Sequence, residues 1–184
     1  MSASAPPVCD FGWKAPHFEL PGVDGNTYAL SDSVGKNGTL VMFICNHCPY
    51  VKSIAHRLVA DCTLLQEEGI GVVAISANDP ETYPADSFEN MKLFAKQHDF
   101  SFPYLFDKTQ ETARAYNAIC TPDFFGFNND LALQYRGRFD ASGSNFDAPP
   151  SRRELFEAMK QVAATGVGPS EQTASIGCSI KWRV

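Results

Sequence analysis

The apolar positions of the chain change their period between residues 38 and 66. Five consecutive apolar residues at 40–44 indicate a strand that is buried on both faces. Between residues 51 and 65 the apolar side chains recur at spacings of three and four, which is typical of one face of a helix. Pro49 suits the first turn of that helix, because the N–H it lacks would have no partner there. The pattern therefore predicts a strand, a turn at 45–48 and one amphipathic helix.

The rest of the chain alternates between strand-like and helix-like segments. A second buried strand is predicted at 71–76, parallel to the first because a helix connects the two. The other predicted elements are a hairpin (17–20 with 27–30), a helix after residue 86, a strand (102–106), a hairpin (124–127 with 131–139) and a helix (152–165). Asp86 followed three residues later by Glu89 has the spacing of a capping box, so we expect Asp86 to cap the helix that follows it.

The composition and net charge argue against several classes of protein. A chain of 184 residues with 44% hydrophobic and 20% charged residues fits one globular domain, residues 1–184, with an N-terminal arm at 1–14 and a Gly/Pro/Ser-rich tail at 166–184. The net charge of −6 argues against a nucleic-acid partner. There is no basic cluster for a membrane surface, and no apolar run is long enough to span a bilayer. The first residues contain no signal-peptide core, so we expect a cytoplasmic location.

Two cysteines lie in the predicted strand-to-helix turn, which reads Cys45-Asn46-His47-Cys48. A helix N-terminus concentrates partial positive charge and so favours the thiolate, which is the nucleophilic form of cysteine. Two thiols at this spacing can also close into a disulfide. His47, and with it Asn46, would tune the pKa of the thiols. The turn therefore predicts a redox-active dithiol.

Two other interpretations of the cysteine pair stay open. The pair could be half of a zinc site, but zinc usually takes four ligands and the sequence offers no second Cys-x-x-Cys or His pair. It could also be accidental. A cytosolic Cys-x-x-Cys next to a βαβ pattern favours redox chemistry over both, so we expect no metal and no cofactor.

Several stretches resemble one family. They are Ala15–Leu20 with Asp24-Gly25, CNHCPYV from Cys45, YPADSFENM from Tyr83, ICTPDFFGF from Ile119 and GCSIKW from Gly177. These stretches resemble the peroxiredoxin-like (AhpC/TSA, redoxin-type) branch of the thioredoxin fold, among proteins that keep a Cys-x-x-Cys. The resemblance covers nearly the whole chain. It implies an α/β fold with a central mixed sheet flanked by helices and an N-terminal β-hairpin extension as in peroxiredoxins.

The resemblance also implies a mechanism, that of a thiol-disulfide oxidoreductase. Cys45, expected to be nearer to solvent, would attack a disulfide of a protein or small-thiol substrate, and Cys48 would then attack Cys45. An upstream electron donor would restore the dithiol. Pro122 would form a cis peptide bond with Thr121, whose backbone would pair with the substrate. The buried acid that assists the second cysteine in thioredoxins is missing, because Thr39 occupies its position.

The alternative function is a thiol-dependent peroxidase that uses Cys48 or Cys45. Cys48-Pro49 matches the peroxidatic cysteine and the proline after it in peroxiredoxins. In the motif Pro-x-x-x-Thr-x-x-Cys, however, the proline position is Val41 and the threonine position is Cys45. The activating arginine is also missing between residues 116 and 133. A redox-inert scaffold is a third class, and it would require the pair to be locked or metallated.

Two further thiols are candidates for the redox cycle. Cys120 lies two residues before Pro122, although a small core residue is an equally simple interpretation. Cys178 follows the flexible segment of the tail, where apolar neighbours could dock it on the body. It is either a packing residue or a resolving thiol. Cys62 falls on the apolar face of the first helix and is expected in the core.

Overall fold

The computed structural model of the protein describes residues 2–184. Its strands are β1 (Ala3–Ser4), β2 (Glu19–Pro21), β3 (Thr27–Ala29), β4 (Gly38–Phe43), β5 (Ile70–Ser76), β6 (Tyr104–Phe106), β7 (Cys120–Thr121), β8 (Asp123–Phe127), β9 (Leu133–Tyr135) and β10 (Gly177–Ser179). Its helices are α1 (Leu30–Ser33), α2 (Pro49–Lys52), α3 (Ala55–Glu67), α4 (Phe88–Gln97), α5 (Glu111–Ala115) and α6 (Glu154–Thr165). Within residues 2–184, no helix is long and apolar enough to cross a membrane.

A five-stranded mixed sheet forms the centre of the fold, in the order β6-β5-β4-β8-β9. β4, β5 and β6 are parallel, because helices connect them; β8 runs antiparallel to β4, and β9 runs antiparallel to β8. The parallel β4–β5 pair and the β8–β9 hairpin were predicted from the sequence and are confirmed. The predicted hairpin of β2 and β3 is also confirmed, as a separate antiparallel pair.

β4 is the central strand and is buried along its whole length. Because side chains alternate between the faces of a strand, Leu40 and Met42 pack on one side of the sheet and Val41 and Phe43 on the other. Helices α3, α4 and α6 cover the first side. Aromatic residues, α5 and the N-terminal segment cover the second. The sheet thus lies between two apolar layers, and the turn after β4 emerges from its centre.

The helix predicted after the cysteine turn is not continuous. It is divided into α2 and α3, because Ser53 and Ile54 leave the regular helical pattern between them. The apolar spacing survives the break, since Val51 and Leu58 both face the same core. Sequence periodicity alone could not reveal this break.

The two ends of the chain meet in a second, three-stranded sheet. Its order is β1-β10-β7, and both pairings are antiparallel. The arm at 1–14 therefore contributes a strand, and the tail at 166–184 docks on the body. Ile180 is buried and packs in the aromatic layer.

Candidate active site: a buried dithiol beside a cis-proline

Cys45 and Cys48 lie where β4 gives way to α2. Cys48 is the N-cap of α2, its carbonyl accepts the first helical hydrogen bond from Lys52 N–H (2.9 Å), and Pro49 opens the helix as predicted. Both thiols are buried, with exposed fractions of 1% for Cys45 and 0% for Cys48. The expectation that Cys45 is nearer to solvent is therefore wrong. The reason is that other parts of the chain cover the turn.

The Thr121–Pro122 peptide bond is cis, as the resemblance implies, and it lies against both thiols. Pairing of β8 with β4 sets this position, because Asp123 lies opposite Phe43 in the register. Cys45 Sγ is 3.4 Å from the Thr121 hydroxyl, and Cys48 Sγ is 3.1 Å from the Thr121 carbonyl oxygen. Four of the residues named from the sequence thus meet in one cluster.

The backbone of Thr121 is not free for a substrate. β10 pairs with β7, with Cys178 opposite Thr121 and Ser179 opposite Cys120. Cys178 is 4% exposed and belongs to the same apolar cluster as Cys45 and Cys48. The chain's own tail therefore occupies the edge where a substrate strand was expected.

Cys120 is close to the site but does not point at the dithiol. It is buried, and its Sγ donates to the carbonyl oxygen of Pro122 at 3.6 Å. Burial raises its pKa, and the nearby Asp123 carboxylate raises it further. These features are those of a packed, protonated thiol. Cys62 lies in the core, as expected.

Asp86 organises the turn between the two cysteines. Its carboxylate is fully buried and accepts hydrogen bonds from the Asn46 backbone N–H (2.8 Å) and the Asn78 side chain (2.7 Å). Oδ2 also lies 2.5 Å from His47 Nδ1. This last contact is a close approach without a well-aligned hydrogen bond at Nδ1. The turn is thus held by an acid from a distant part of the chain.

Asn46 and His47 are both fixed by this arrangement. The Asn46 amide donates to Ala85 O (3.0 Å), and its oxygen accepts from the Tyr104 hydroxyl (2.9 Å). The His47 ring stacks on Tyr83 with centroids 5.8 Å apart. The residues named as tuning groups are therefore held rigidly beside Cys45.

The pKa values of the two thiols move in opposite directions. A hydrogen bond from the Cys45 thiol, aided by the thiol and the backbone N–H of Cys178, lowers the pKa of Cys48 to about 5. The same hydrogen bond raises the pKa of Cys45, and its burial and the Asp86 charge raise it further. The Thr121 carbonyl opposes a Cys48 thiolate, since a carbonyl oxygen can only accept, but the donors around Cys48 outweigh this one contact. Of the two thiols, Cys48 is therefore the one whose thiolate is favoured.

Cys45, His47 and Asp86 are the group in residues 2–184 that could hold a metal, with ligand atoms all within 4.8 Å of one another. Ligands of a tetrahedral zinc ion at bond lengths of about 2.0–2.1 Å lie roughly 3.3 Å apart. The 2.5 Å between His47 and Asp86 is shorter than that, so the group would have to spread to bind zinc. The geometry fits a direct His47–Asp86 contact better than a ligand set.

Asp86 was not recognised from the sequence as a site residue. The predicted capping box is wrong, because Ser87 caps α4 through a hydrogen bond from Asn90 N–H to its side chain. Asp86 lies one residue earlier, in a 3₁₀ turn at Pro84–Asp86, and faces the cysteine turn. Its place within the resembling stretch YPADSFENM was the one available signal. Nothing in local spacing indicates that its carboxylate is buried.

Comparison with known proteins gives a consistent result. The sequence model of the AhpC/TSA family matches residues 11–139. The chain is 27% identical over 115 residues to "Putative peroxiredoxin Rv2521" of Mycobacterium tuberculosis, covering 62% of this chain and 68% of that protein. It is 44% identical to an uncharacterized conserved protein from Geobacillus kaustophilus, whose crystal structure superposes with a TM-score of 0.93 over 100% of this chain and 97% of the other.

A more distant structure defines the fold. A thiol:disulfide interchange protein of the thioredoxin family from Chlorobium tepidum is 20% identical, with a TM-score of 0.63 over 82% of this chain and 95% of the other. This neighbour and the mixed sheet flanked by helices show the thioredoxin fold that the sequence predicted. The family model covers well over half of the chain. The chain therefore belongs to the AhpC/TSA family and is a thioredoxin-fold oxidoreductase.

Proposed function

We propose that the protein is a thiol-disulfide oxidoreductase that cycles Cys45 and Cys48 between dithiol and disulfide. The observation that carries this proposal is the contact of both sulfur atoms with Thr121, beside the cis peptide bond. As a disulfide, a cysteine pair in this position can accept two electrons from a thiol donor, and as a dithiol it can pass them to a substrate disulfide. Its substrates are disulfides of proteins or small thiols, and an upstream thiol donor restores it. A reducing cytosol, which the sequence predicts, would supply such a donor.

Cys48 is the first nucleophile in this proposal, which reverses the order expected from the sequence. Its thiolate attacks one sulfur of the substrate disulfide, forms a mixed disulfide and releases the other sulfur as a thiolate. Cys45 then attacks Cys48 Sγ, closes the Cys45–Cys48 disulfide and releases the second substrate thiolate. Two electrons have moved from the protein to the substrate.

The second step requires the loss of a proton from Cys45, and the site contains an acceptor for it. His47 and Asp86 lie within 4.8 Å of Cys45 Sγ, and the carboxylate is fully buried. We assign them the proton-accepting role that a buried strand acid has in thioredoxins. Thr39, which occupies that strand position, is buried and its hydroxyl accepts from Gly35 N–H. It has no acidic group to contribute.

A peroxidase remains the second candidate, because Cys48 is the position that matches the peroxidatic cysteine and its pKa is lowered to about 5. The activating cation is not supplied by the nearby buried arginine. Arg136 binds Asp123 (3.0 Å) and the Asn117 carbonyl (2.8 Å), and it stacks on Phe125 in the other layer of the fold. Disulfide exchange needs no such cation, so the geometry supports it better.

The test is reduction of insulin with dithiothreitol as the electron donor. The wild-type protein should accelerate it, and Cys48→Ser and Cys45→Ser should each abolish the acceleration. Cys62→Ala is the matched control, since Cys62 is a buried thiol on α3 remote from Thr121, and it should retain the wild-type rate. Wild-type turnover in Cys48→Ser would overturn the proposal.

The order of attack is tested separately with glutathione disulfide. With Cys178 replaced by alanine in both variants, Cys45→Ser should trap glutathione on Cys48, whereas Cys48→Ser should trap little on Cys45. The opposite pattern would restore the order expected from the sequence.

A further inference from the structure

A third thiol lies at the dithiol and has no part in the cycle described above. Strand β10 brings Cys178 opposite Thr121 in an antiparallel register, and the Thr121 carbonyl oxygen is 3.1 Å from Cys48 Sγ. Cys178 is 4% exposed and packs in the same apolar cluster as both thiols of the pair. Its position is therefore that of a cysteine in a substrate strand laid across the active site.

The approach of β10 is too close to be a loose surface contact. A Cβ atom on Gly177 would lie 2.0 Å from the Thr121 carbonyl oxygen, so only glycine allows the two backbones to meet here. After Cys178 in the chain, Ile180 N–H donates to Ile119 O at 3.0 Å. Before it, Ser175 Oγ donates to Pro122 O at 2.7 Å. The strand is held at three points around one cysteine.

Little room remains beside Pro122 for a second chain. The groove bordered by Tyr50, Pro122 and Ile176 has a volume of about 20 Å³. That is space for about one water molecule and not for a peptide strand. In the described state, the tail fills the place that a substrate strand would take.

Packing alone does not require a thiol at residue 178. Ile180 is 3% exposed and anchors the tail in the aromatic layer, whereas Cys178 packs in the cluster that contains the dithiol. A thiol beside Cys48 can exchange with a disulfide formed there. A methyl group or a hydroxyl would fill the same space without that chemistry.

We propose that Cys178 is a resolving thiol, which exchanges with the Cys45–Cys48 disulfide to form a Cys48–Cys178 disulfide. The inference rests on the proposed function, which supplies the first disulfide. The Cys178 thiolate attacks Cys48 Sγ, the Cys45–Cys48 bond breaks, and Cys45 leaves with the electron pair and takes up the proton that Cys178 lost. One S–S bond breaks and one forms, so no further oxidant is needed.

Oxidation of the pair itself prepares Cys178 for this attack. In the dithiol state, burial and the neighbouring Cys48 raise the pKa of Cys178 to about 12, so its thiol is inert. Once Cys48 is part of a disulfide it carries no charge, so its contribution to the raised pKa of Cys178 disappears. The Lys181 ammonium, which favours a thiolate at Cys178, remains. The third thiol is thus easier to deprotonate when its target has formed.

The test uses Cys45→Ser, which keeps Cys48 and Cys178 in the cluster of the dithiol, with Cys120 Sγ on the Pro122 carbonyl oxygen. After treatment with glutathione disulfide we expect the glutathione adduct on Cys48 to be released and a Cys48–Cys178 bridge to form. Trypsin cleavage after Lys36, Lys52, Lys160 and Lys181 would leave this bridge between peptides 37–52 and 161–181. Mass spectrometry without reduction detects it directly. A stable adduct on Cys48, with Cys178 still free for alkylation, would overturn the inference.

A matched control moves the thiol by one residue. Adding Cys178→Ser and Ser179→Cys to Cys45→Ser places the thiol on the opposite face of β10, because successive strand side chains alternate. The bridge should then be absent and the glutathione adduct should persist. A bridge formed equally well from residue 179 would mean that the tail reacts without any alignment, which contradicts the inference.

A second variant separates this inference from the proposed function. Cys178→Ala should still form the Cys45–Cys48 disulfide within peptide 37–52 and still reduce insulin. If it does so while Cys45→Ser never bridges to Cys178, the inference alone fails. If Cys178→Ala forms no Cys45–Cys48 disulfide although its circular dichroism is that of the wild type, the proposed function fails.

Discussion

His47 Nδ1 lies 2.5 Å from the Asp86 carboxylate, and both groups lie beside Cys45. Asp86 is fully buried and the exposed fraction of the His47 side chain is 18%. A carboxylate without a partner at this place would be costly, since an unpaired buried charge loses its hydration. The two hydrogen bonds from Asn46 and Asn78 and the His47 contact compensate for that cost. The dithiol therefore lies beside the His47–Asp86 pair, and we expect the two residues to act on it in opposite ways.

Asp86→Asn should shift the thiolate from Cys48 towards Cys45. The Asp86 charge raises the pKa of Cys45, so its removal lowers that pKa and makes Cys45 the better competitor for the negative charge. Brief alkylation of the reduced protein, followed by peptide mapping, should show a larger share of label on Cys45. Asp61→Asn, at a buried acid paired with Arg153 away from the site, should leave the labelling pattern unchanged.

His47→Ala should make the Cys45–Cys48 pair more reducing. Without the imidazole, the Asp86 carboxylate acts on the thiolate unopposed, which destabilises the dithiol relative to the disulfide. A loss of about 1.4 kcal/mol corresponds to a redox potential roughly 30 mV more negative, measurable by equilibration with dithiothreitol. The double variant with Asp86→Asn should recover most of that shift. A more positive potential in His47→Ala would show that His47 does not favour the thiolate.

The lowered pKa of Cys48 predicts a pH dependence of stability in the reduced protein. The pKa of Cys48 is about 5 in the folded protein, and its ordinary value is 9.0. Between these two pH values the unfolded chain therefore binds one more proton than the folded chain. Stability should therefore rise from pH about 5 towards 9 and be lost as the pH falls through about 5. The measurement is the Tm of the reduced protein across this range. The oxidised protein is the control, since a disulfide does not titrate, and equal pH slopes for both forms would contradict the assignment.

The parts of the site that were predictable from sequence are those that depend on local pattern. The apolar run 40–44 and the helical spacing after Pro49 are written in neighbouring residues, so the position of Cys45 and Cys48 in a strand-to-helix turn could be predicted. Thr121 and Pro122 were found through the resemblance. Asp86 was misassigned because its burial depends on the meeting of two loops that are distant in sequence.

The tail illustrates the same limit. Its apolar residues indicated that it docks, but the edge on which it docks is decided by the register of β10 against β7. The equal burial of Cys45 and Cys48 follows from that docking and from the Asp86 turn. The pattern of apolar and polar residues along the sequence does not indicate either contact.

Gly177→Ala should uncover the dithiol. The added Cβ would meet the backbone oxygen of Thr121, which cannot yield as a flexible side chain would, so β10 should detach more often. Each loss of about 1.4 kcal/mol of docking free energy raises the open fraction about tenfold. Alkylation of Cys48 by a bulky maleimide should accelerate accordingly. Ile176→Ala, at a neighbouring half-exposed side chain, should leave the rate near that of the wild type, and an unchanged rate in Gly177→Ala would mean that β10 does not limit access.

The reaction with peroxide should be slow although Cys48 is a thiolate. A peroxidase stabilises the O–O bond as it breaks, and positioned donors supply most of that stabilisation. The threonine position of the peroxidase motif is Cys45, whose own thiol donates to Cys48, and Arg136 is bound to Asp123. Removal of Arg136 should therefore leave the rate of reaction with peroxide unchanged, whereas removal of the arginine from an arginine-activated site would lower that rate.

We accordingly expect disulfide exchange to be faster than peroxide reduction with the same thiol donor. Stopped-flow oxidation of the reduced protein by hydrogen peroxide, compared with its oxidation by glutathione disulfide, measures both rates on one sample. The reference for peroxide is the uncatalysed reaction of free cysteine thiolate at the same pH. Cys45 should also capture any sulfenic acid on Cys48 as a disulfide, so sulfinic acid should be rare in the wild type and accumulate when Cys45→Ser is combined with Cys178→Ala. A peroxide rate several orders of magnitude above the free-thiolate reference would mean that the Cys45 and Cys178 donors replace the missing threonine and arginine, and the peroxidase assignment would then displace the one proposed.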